Sequence, residues 1–283
     1  MRIRIMQSIR EHKSLWLLNL LFLTLYSLIC FVNHANYRTY ALDLGAYTRA
    51  LYDYAHFRPS YGEVFRVVPE NILSDHLDLL LMFFSPLWWI FGEYTLLIVQ
   101  VSAIHAGAFG VYRLAAQRGL SKPASLLSAA VFLAYFGVFS AVNFDYHSSV
   151  VAACMLPWFI LFFTQLQLRK ALFVFCCILV AKENMALWLF FICTALAWMH
   201  RDSPGHKKQA LGMAAVSLLF FMLAIFYFMP AFSTQKQYSH TEFHVLGGSF
   251  KEILLAMLSH PLNAFTLLFQ NHLPNASLTY VKI

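Results

Sequence analysis

Charged residues are scarce in this chain: Asp, Glu, Lys and Arg make up 12% of its 283 residues, while 60% are hydrophobic. A soluble domain carries about twice that share of charge. The composition therefore predicts a polytopic membrane protein. The formal net charge of +7 does not indicate a nucleic-acid partner, because in a membrane protein the location of the charges matters more than their sum.

The usual sequence signs of a soluble catalytic domain are also missing. The five cysteines all lie inside apolar runs without metal-ligand spacing, which predicts packing residues. Glycine-rich nucleotide loops, internal repeats and a separate soluble segment are absent from the sequence. We therefore expect one all-α transmembrane domain over residues 1–283, built as a helical bundle with interfacial helices in its first outer loop.

The predicted topology follows from the apolar segments. Most of them are long enough to span a bilayer, and two shorter ones are predicted to form the arms of a helical hairpin. The basic N-terminus is expected to precede an uncleaved signal anchor, and the final residues, TYVKI, suggest a further span in a longer natural protein. The outer loops are predicted at 35–93 and 230–279, the second with its own interfacial helix. The seven predicted spans are 14–34, 94–112, 123–142, 149–168, 171–181, 185–199 and 210–229.

Two apolar regions allow alternatives. Segment 77–92 is short and contains Pro86, and a span there would turn the basic loop 113–122 outward, against the positive-inside rule. We therefore predict an interfacial or re-entrant helix. Segment 171–199 as one helix would bury Lys182 and Glu183 near mid-bilayer at about 3 kcal/mol each, so a hairpin with these residues at its outer turn is favoured.

Charge is distributed unequally between the two predicted faces. The inner segments 1–13, 113–122, 169–170 and 200–209 contain 12 of the 20 Lys and Arg residues, whereas 11 of the 13 acids lie on the outer side. This predicts a cytoplasmic N-terminus. Four polar clusters are then expected at the outer face, namely Asp43, the Asp75–His76–Asp78 group, the Asn143–Asp145–His147 group and the Lys182–Glu183–Asn184 group.

These clusters combine carboxylates, imidazoles and an ammonium, which suit binding of a phosphate-bearing lipid and acid–base chemistry. Asp43 is a candidate general base, or the N-cap of an amphipathic helix over 44–56. Lys182 is a candidate phosphate ligand, or a turn residue with Glu183. The structural alternatives for the other candidates are a polar turn at Asp145 and His147, and a simple loop pair at Asp75 and His76.

Five characteristic stretches follow one another along the chain: LDLGAYTRALYDY, DHLDLLLMFFSPLW, VYRLAAQRGLS, NFDYHSSVVAACMLPW and LVAKENMALWLF. Together they resemble a bacterial membrane family, domain of unknown function 2079, which is similar to the GT-C glycosyltransferases. The resemblance covers about residues 20–230. After Lys-Glu the family pattern has Asp or Asn, and this chain has Asn184, so a second carboxylate is not available at that position.

The resemblance implies a GT-C-like core in the bacterial inner membrane, with the site on the periplasmic face. It implies a catalytic Asp43 and a polyprenyl-phosphate sugar donor, with a glycan, lipid or protein as acceptor. We expect His76, Asp145, His147, Lys182 and Glu183 to bind substrate, and Asp75 or Asp145 to hold a divalent cation, Mg²⁺ or Mn²⁺. The alternatives are a non-enzymatic lipid-binding or transport protein and a truncated pseudo-enzyme.

Overall fold

The computed structural model describes residues 12–62, 69–234, 236, 246–248 and 250–267, and these residues are almost entirely helical. The predicted N-terminal basic segment, apart from its last two residues, and the expected further span at the C-terminus lie outside the described residues. The helices of the first unit are α1 (Lys13–Ala35), α2 (Ala46–Ala55), α3 (Ile72–Asp75), α4 (Leu80–Phe84), α5 (Trp88–Phe91), α6 (Thr95–Gln117), α7 (Lys122–Leu133), α8 (Phe136–Asn143), α9 (Ser148–Thr164), α10 (Leu168–Leu179), α11 (Glu183–Met199), α12 (Pro204–Leu223) and α13 (Met229–Phe232).

Four helical stretches, two of which contain short turns or breaks, are long and apolar enough to cross a membrane: Lys13–Ala35, Leu80–Gln117, Lys122–Asn143 and Pro204–Phe232. Shorter apolar helices occupy Ser148–Thr164 and Glu183–Met199. Many large apolar side chains are exposed on these helices, among them Leu17, Leu20 and Leu21 on α1. A soluble protein rarely exposes apolar patches of that extent, so these surfaces suit contact with lipid. The fold is an all-α helical membrane bundle.

Helix α6 lies at the centre of the bundle, between α9 and α7. Its glycines allow α9 to approach closely, because a Cβ atom on Gly110 would lie 2.8 Å from Trp158 Nε1. That indole nitrogen donates to the Ala106 carbonyl oxygen at 2.8 Å. Further along, His105 Nδ1 lies 3.0 Å from Asn19 Oδ1 on α1, so this histidine is a hydrogen-bonded packing residue.

The predicted interfacial region 77–92 folds as a series of short helices. Helix α4 is followed by a 3-10 turn at Ser85–Leu87, then α5, then a second 3-10 turn at Gly92–Tyr94 that leads into α6. Pro86 lies in the first of these turns, where its missing N–H does not interrupt a long helix. The segment therefore leads into α6 through short helices, and its interfacial position stays a prediction.

Helices α10 and α11 run in opposite directions. The chain leaves the helix at Val180, and Lys182 is extended, with φ −165°. Glu183 at the start of α11 contacts His76, whereas the ring of His200, just after α11, lies 5.9 Å from that of Phe163 at the far end of α9. The segment 171–199 is thus a hairpin with its turn at residues 180–182, not a single long helix.

These contacts define two ends of the bundle. We call the end with Asp43, residues 75–78, 145–148 and 182–184 the polar end, and the end with Arg118, Arg169 and Arg201 the basic end. A second compact unit, described by itself, contains α14 (Phe250–Ser259) and α15 (Pro261–Leu267). In this unit the Gly248 N–H donates to Glu252 Oε2 at 2.9 Å.

Candidate functional site

The polar end brings together side chains from four separate parts of the chain. A π-helical turn at Ala41–Gly45 leads into α2 and carries Asp43. The other three parts are the segment between α3 and α4, the turn between α8 and α9, and the turn between α10 and α11. All four polar clusters noted in the sequence contribute to this end. The contacts below connect them.

Glu183 connects the segment before α4 to the turn between α10 and α11 through hydrogen bonds. Its Oε1 lies 3.0 Å from His76 Nδ1, and its Oε2 accepts the Leu77 N–H at 3.1 Å. The Leu79 N–H donates to the Val180 carbonyl at 3.0 Å. Burial raises the pKa of Glu183, but the hydrogen bond to His76 and the His76 charge outweigh it, so the pKa lies below its usual value. Glu183 is therefore a buried carboxylate that keeps these two segments together and orients the His76 ring.

The turn between α8 and α9 is held by a glutamine of α6. Gln100 is fully buried; its Nε2 donates to the carbonyl oxygens of Ala141 and Asp145, and its Oε1 accepts the His147 N–H at 2.7 Å. Asp145 has φ +71°, a left-handed conformation that aspartate tolerates better than most residues. Gln100 thus satisfies polar backbone groups of the turn that presents His147.

The carboxylate of Asp145 already accepts a backbone hydrogen bond. Its Oδ2 accepts the Tyr40 N–H at 2.7 Å, which joins the turn to the residue just before the π-helical turn. Burial raises the pKa of Asp145, and the Asp43 charge adds to this effect, while the Tyr40 hydrogen bond opposes it. The carboxylates of Asp43 and Asp145 are therefore close enough to influence each other.

Asp43 does not cap α2. The N-cap position of that helix is Gly45, and no side chain caps either α2 or the π-helical turn before it. The interpretation of Asp43 as a helix cap is therefore wrong. Leu44, Tyr47 and Leu51 are buried on one face, as the amphipathic pattern predicted. Asp43 itself is half-buried, and its carboxylate forms no hydrogen bond or ion pair with the described residues.

His147 lies near both Asp43 and Lys182, and its ring forms no hydrogen bond with the described residues. Burial lowers the pKa of His147 below its usual value, while the Asp43 charge opposes this and the Lys182 charge reinforces it. Lys182 is half-buried, and it makes no ion pair within 4 Å among the described residues. Its ammonium group nevertheless acts on His147, Asp78 and Glu183. The arrangement leaves one acid, one imidazole and one ammonium available to a ligand.

Three buried groups of the site were given no individual role from the sequence, although Asp78 was placed in one of the four polar clusters. Asp78 is 1% exposed, and its Oδ1 accepts the Leu80 N–H at 3.1 Å. Gln100 and Tyr146 are also buried, and the Tyr146 hydroxyl has no hydrogen-bond partner in the described part of the chain. A glutamine within the apolar run TLLIVQVSAIHAG was a usable signal for Gln100, because an unpaired amide is costly inside an apolar helix.

The predicted metal ligands do not form a metal site. In the described ranges, no group of three or more His, Cys, Asp or Glu side chains could hold a metal ion. Asp145 already accepts a backbone hydrogen bond, and Asp75 Oδ2 lies 3.8 Å from His76 Nε2. The donor set therefore does not fit the Mg²⁺ or Mn²⁺ ion expected at Asp75 or Asp145.

Apolar helices long enough to cross a membrane, a lipid-suited surface and one polar end define a multi-pass membrane protein. The chain belongs to the family of predicted membrane proteins DUF2079, whose model matches residues 33–281. Neither the curated proteins nor the solved structures contain a match to the chain. The family resemblance is thereby confirmed, while the similarity to GT-C glycosyltransferases stays an expectation.

Proposed function

We propose that the polar end is the active site of an integral-membrane glycosyltransferase that uses a polyprenyl-phosphate-linked sugar. The acceptor is a hydroxyl group of a glycan, a lipid or a protein. The protein is placed in a bacterial inner membrane, with its N-terminus and basic end in the cytoplasm and its polar end at the outer face. The unequal distribution of Lys and Arg supports this orientation.

One observation carries the proposal: Asp43 and Lys182 are both half-buried, lie near His147, and are unpaired among the described residues. Groups with a purely structural role are usually paired when they are buried, as Glu183 and Asp145 are here. An unpaired acid and an unpaired ammonium, both near the same imidazole, suit a substrate that brings a hydroxyl group and a phosphate. A sugar donor and its acceptor together supply both.

The proposed step is an inverting displacement. The acceptor oxygen attacks the anomeric carbon of the sugar, and its proton passes to the Asp43 carboxylate. The bond between that carbon and the phosphate oxygen breaks, and polyprenyl phosphate leaves with the electron pair. Lys182 stabilises the phosphate as a point charge, and neutral His147 donates a hydrogen bond. The mechanism assigns no role to a cation.

The test is glycan transfer from polyprenyl-phosphate sugars in membranes that carry the protein, detected by mass spectrometry. We expect product with the wild type and a loss of about a hundredfold or more with Asp43→Asn, the range typical of removing a general base. Asp202→Asn is the matched control, because its side chain is 94% exposed at the basic end. It is expected to retain activity.

Two outcomes would overturn the proposal. If none of the donors gives product, the enzymatic interpretation is wrong. If Asp43→Asn transfers sugar as fast as the wild type, Asp43 is not the base. The first result favours the non-enzymatic alternative, a lipid-binding or transport protein in which Lys182 binds a lipid phosphate without chemistry. The second result leaves sugar transfer in place and rejects only the assignment of Asp43 as the base.

A further inference from the structure

A second charged group lies on α2, separate from the residues assigned to sugar transfer. Asp53 is 4% exposed and pairs with two arginines: its Oδ2 lies 3.0 Å from Arg49 Nε and its Oδ1 lies 3.2 Å from Arg58 Nη2. Two guanidinium groups thus share one carboxylate. The group keeps a net positive charge, and only one nitrogen of each guanidinium is used by Asp53.

The two guanidinium groups are also fixed by an aromatic ring. The Cζ atoms of Arg49 and Arg58 lie 5.8 Å and 5.4 Å from the centre of the Tyr52 ring, within cation–π range. The Arg58 N–H donates to the Asp53 carbonyl at 2.9 Å, which sets the position of the second arginine. Despite these contacts, the side chains of Arg49 and Arg58 are 64% and 53% exposed. They are held in place and remain accessible.

The surroundings of this pair are typical of a membrane interface. The Tyr52 ring packs edge-on against Trp88 at 5.4 Å, and the His56 ring lies 4.7 Å from Trp89. Trp89 and its neighbour Ile90 are 66% and 71% exposed. Tryptophan and tyrosine are enriched at the headgroup level of bilayers. The aromatic group therefore indicates that Arg49 and Arg58 face lipid headgroups.

We propose that Arg49 and Arg58 form a binding site for the phosphate of an anionic phospholipid headgroup. The planar guanidinium fork matches the geometry of phosphate oxygens, and two forks fixed by one buried carboxylate lose little side-chain freedom on binding. The net charge of the group is opposite to that of the ligand. A bound lipid would hold α2, and with it the π-helical turn that carries Asp43, at the membrane surface. The site stands whether or not the polar end transfers sugar.

The test is lipid binding to the purified protein in mild detergent, measured by native mass spectrometry with phosphatidylglycerol and phosphatidylcholine of the same acyl chains. The wild type is expected to prefer phosphatidylglycerol. The Arg49→Gln/Arg58→Gln variant should lose about tenfold in phosphatidylglycerol affinity, since hydrogen bonds to charged groups contribute that much or more. Its affinity for phosphatidylcholine should not change.

Two further variants distinguish specific binding by the two guanidinium groups from a general attraction of the lipid to positive charge. Arg49→Lys/Arg58→Lys keeps the charge without the planar fork, and we expect it to lose most of the preference. Arg201→Gln removes a comparable arginine, 60% exposed and 5.5 Å from the Trp198 ring at the basic end, and we expect no loss. If the lysine variant binds like the wild type, or if Arg201→Gln loses as much, the proposal is wrong.

Inorganic phosphate distinguishes a headgroup from a free anion. An excess of inorganic phosphate that fully displaces phosphatidylglycerol would overturn the assignment to a lipid, because the apolar surface beside Trp89 would then contribute nothing. Thermal unfolding verifies that each variant is folded. If the double glutamine variant does not fold, Arg49→Gln alone provides the test, because Arg49 is the more exposed of the two.

Discussion

At the scale of single residues, Asp78 shows how burial changes an acid. Its side chain is almost inaccessible, and its Oδ1 accepts the Leu80 N–H at the start of α4. Burial raises the pKa of Asp78 to about 7, although the nearby Ser148 hydroxyl and the Lys182 charge lower it in part. The folded protein therefore keeps a proton on Asp78 that the unfolded chain releases above about pH 4.

This difference predicts a pH-dependent stability. Because the folded pKa is raised, the stability that Asp78 contributes is complete below about pH 4 and is lost as the pH rises to about 7, by at most about 1.4 kcal/mol per pH unit. Asp78→Asn keeps an acceptor for Leu80 but cannot ionise. Its melting temperature relative to wild type should therefore increase between pH 5 and pH 8, and parallel melting curves across this range would contradict the assignment.

The other acids of the polar end illustrate what residue types alone can predict. Asp43, Asp145 and Glu183 were all expected at one membrane face, and the structure places them at one end of the bundle. Their roles differ, however, because Glu183 and Asp145 accept backbone N–H groups while Asp43 does not. The hydrogen-bond partners that occupy a carboxylate lie more than a hundred residues away in sequence. The residues next to each acid in the sequence therefore do not reveal which carboxylate is occupied.

At the scale of secondary-structure elements, α6 supports the site by holding the turn that carries His147. Gln100 connects this helix to the turn between α8 and α9 through one amide group. The same helix binds α1 through His105 and α9 through the Ala106 carbonyl. The position of His147 therefore depends on a helix that contributes no candidate ligand of its own.

Gln100→Leu tests this support. Leucine keeps a similar volume but leaves the His147 N–H and two carbonyl groups without their partner. Each buried unsatisfied group costs about 1–3 kcal/mol. We expect a clear fall in melting temperature, measured by thermal unfolding of the purified protein, together with loss of whatever activity His147 supports.

Gln117→Leu is the matched control for that substitution. Gln117 lies on the same helix and bonds the Thr164 hydroxyl at 3.1 Å, but this contact is exposed. Water can replace it, so the expected change in stability is within about 0.5 kcal/mol. If the two substitutions lower the melting temperature equally, the hydrogen bonds of Gln100 do not stabilise the turn between α8 and α9.

At the scale of the whole molecule, the two ends of the bundle differ in charge. The basic end carries Arg118, Arg169 and Arg201, whereas most of the acids described above lie at the polar end. The positive-inside rule assigns the basic end to the cytoplasm. The proposed orientation can be tested without any substrate.

We expect Asn184→Cys to react with a membrane-impermeant maleimide from outside intact cells, and Asp202→Cys to react only after permeabilisation. Both positions are exposed and lie at opposite ends of the bundle. The five native cysteines are first replaced by alanine, so that each variant carries one thiol. Labelling of Asp202→Cys in intact cells would reverse the orientation and move the proposed site to the cytoplasm.

The sequence by itself determined the class of protein, the helical bundle and the hairpin within residues 171–199. These follow from local rules, because apolar runs must satisfy their backbone as helices in a membrane and buried charges interrupt them. The turn of that hairpin was expected at residues 182–184, and it lies at 180–182. The tertiary structure alone decided that Glu183 is paired, that Asp43 caps no helix and that Gln100 braces His147. Such assignments depend on the distances between residues far apart in the chain, and only packing fixes those distances.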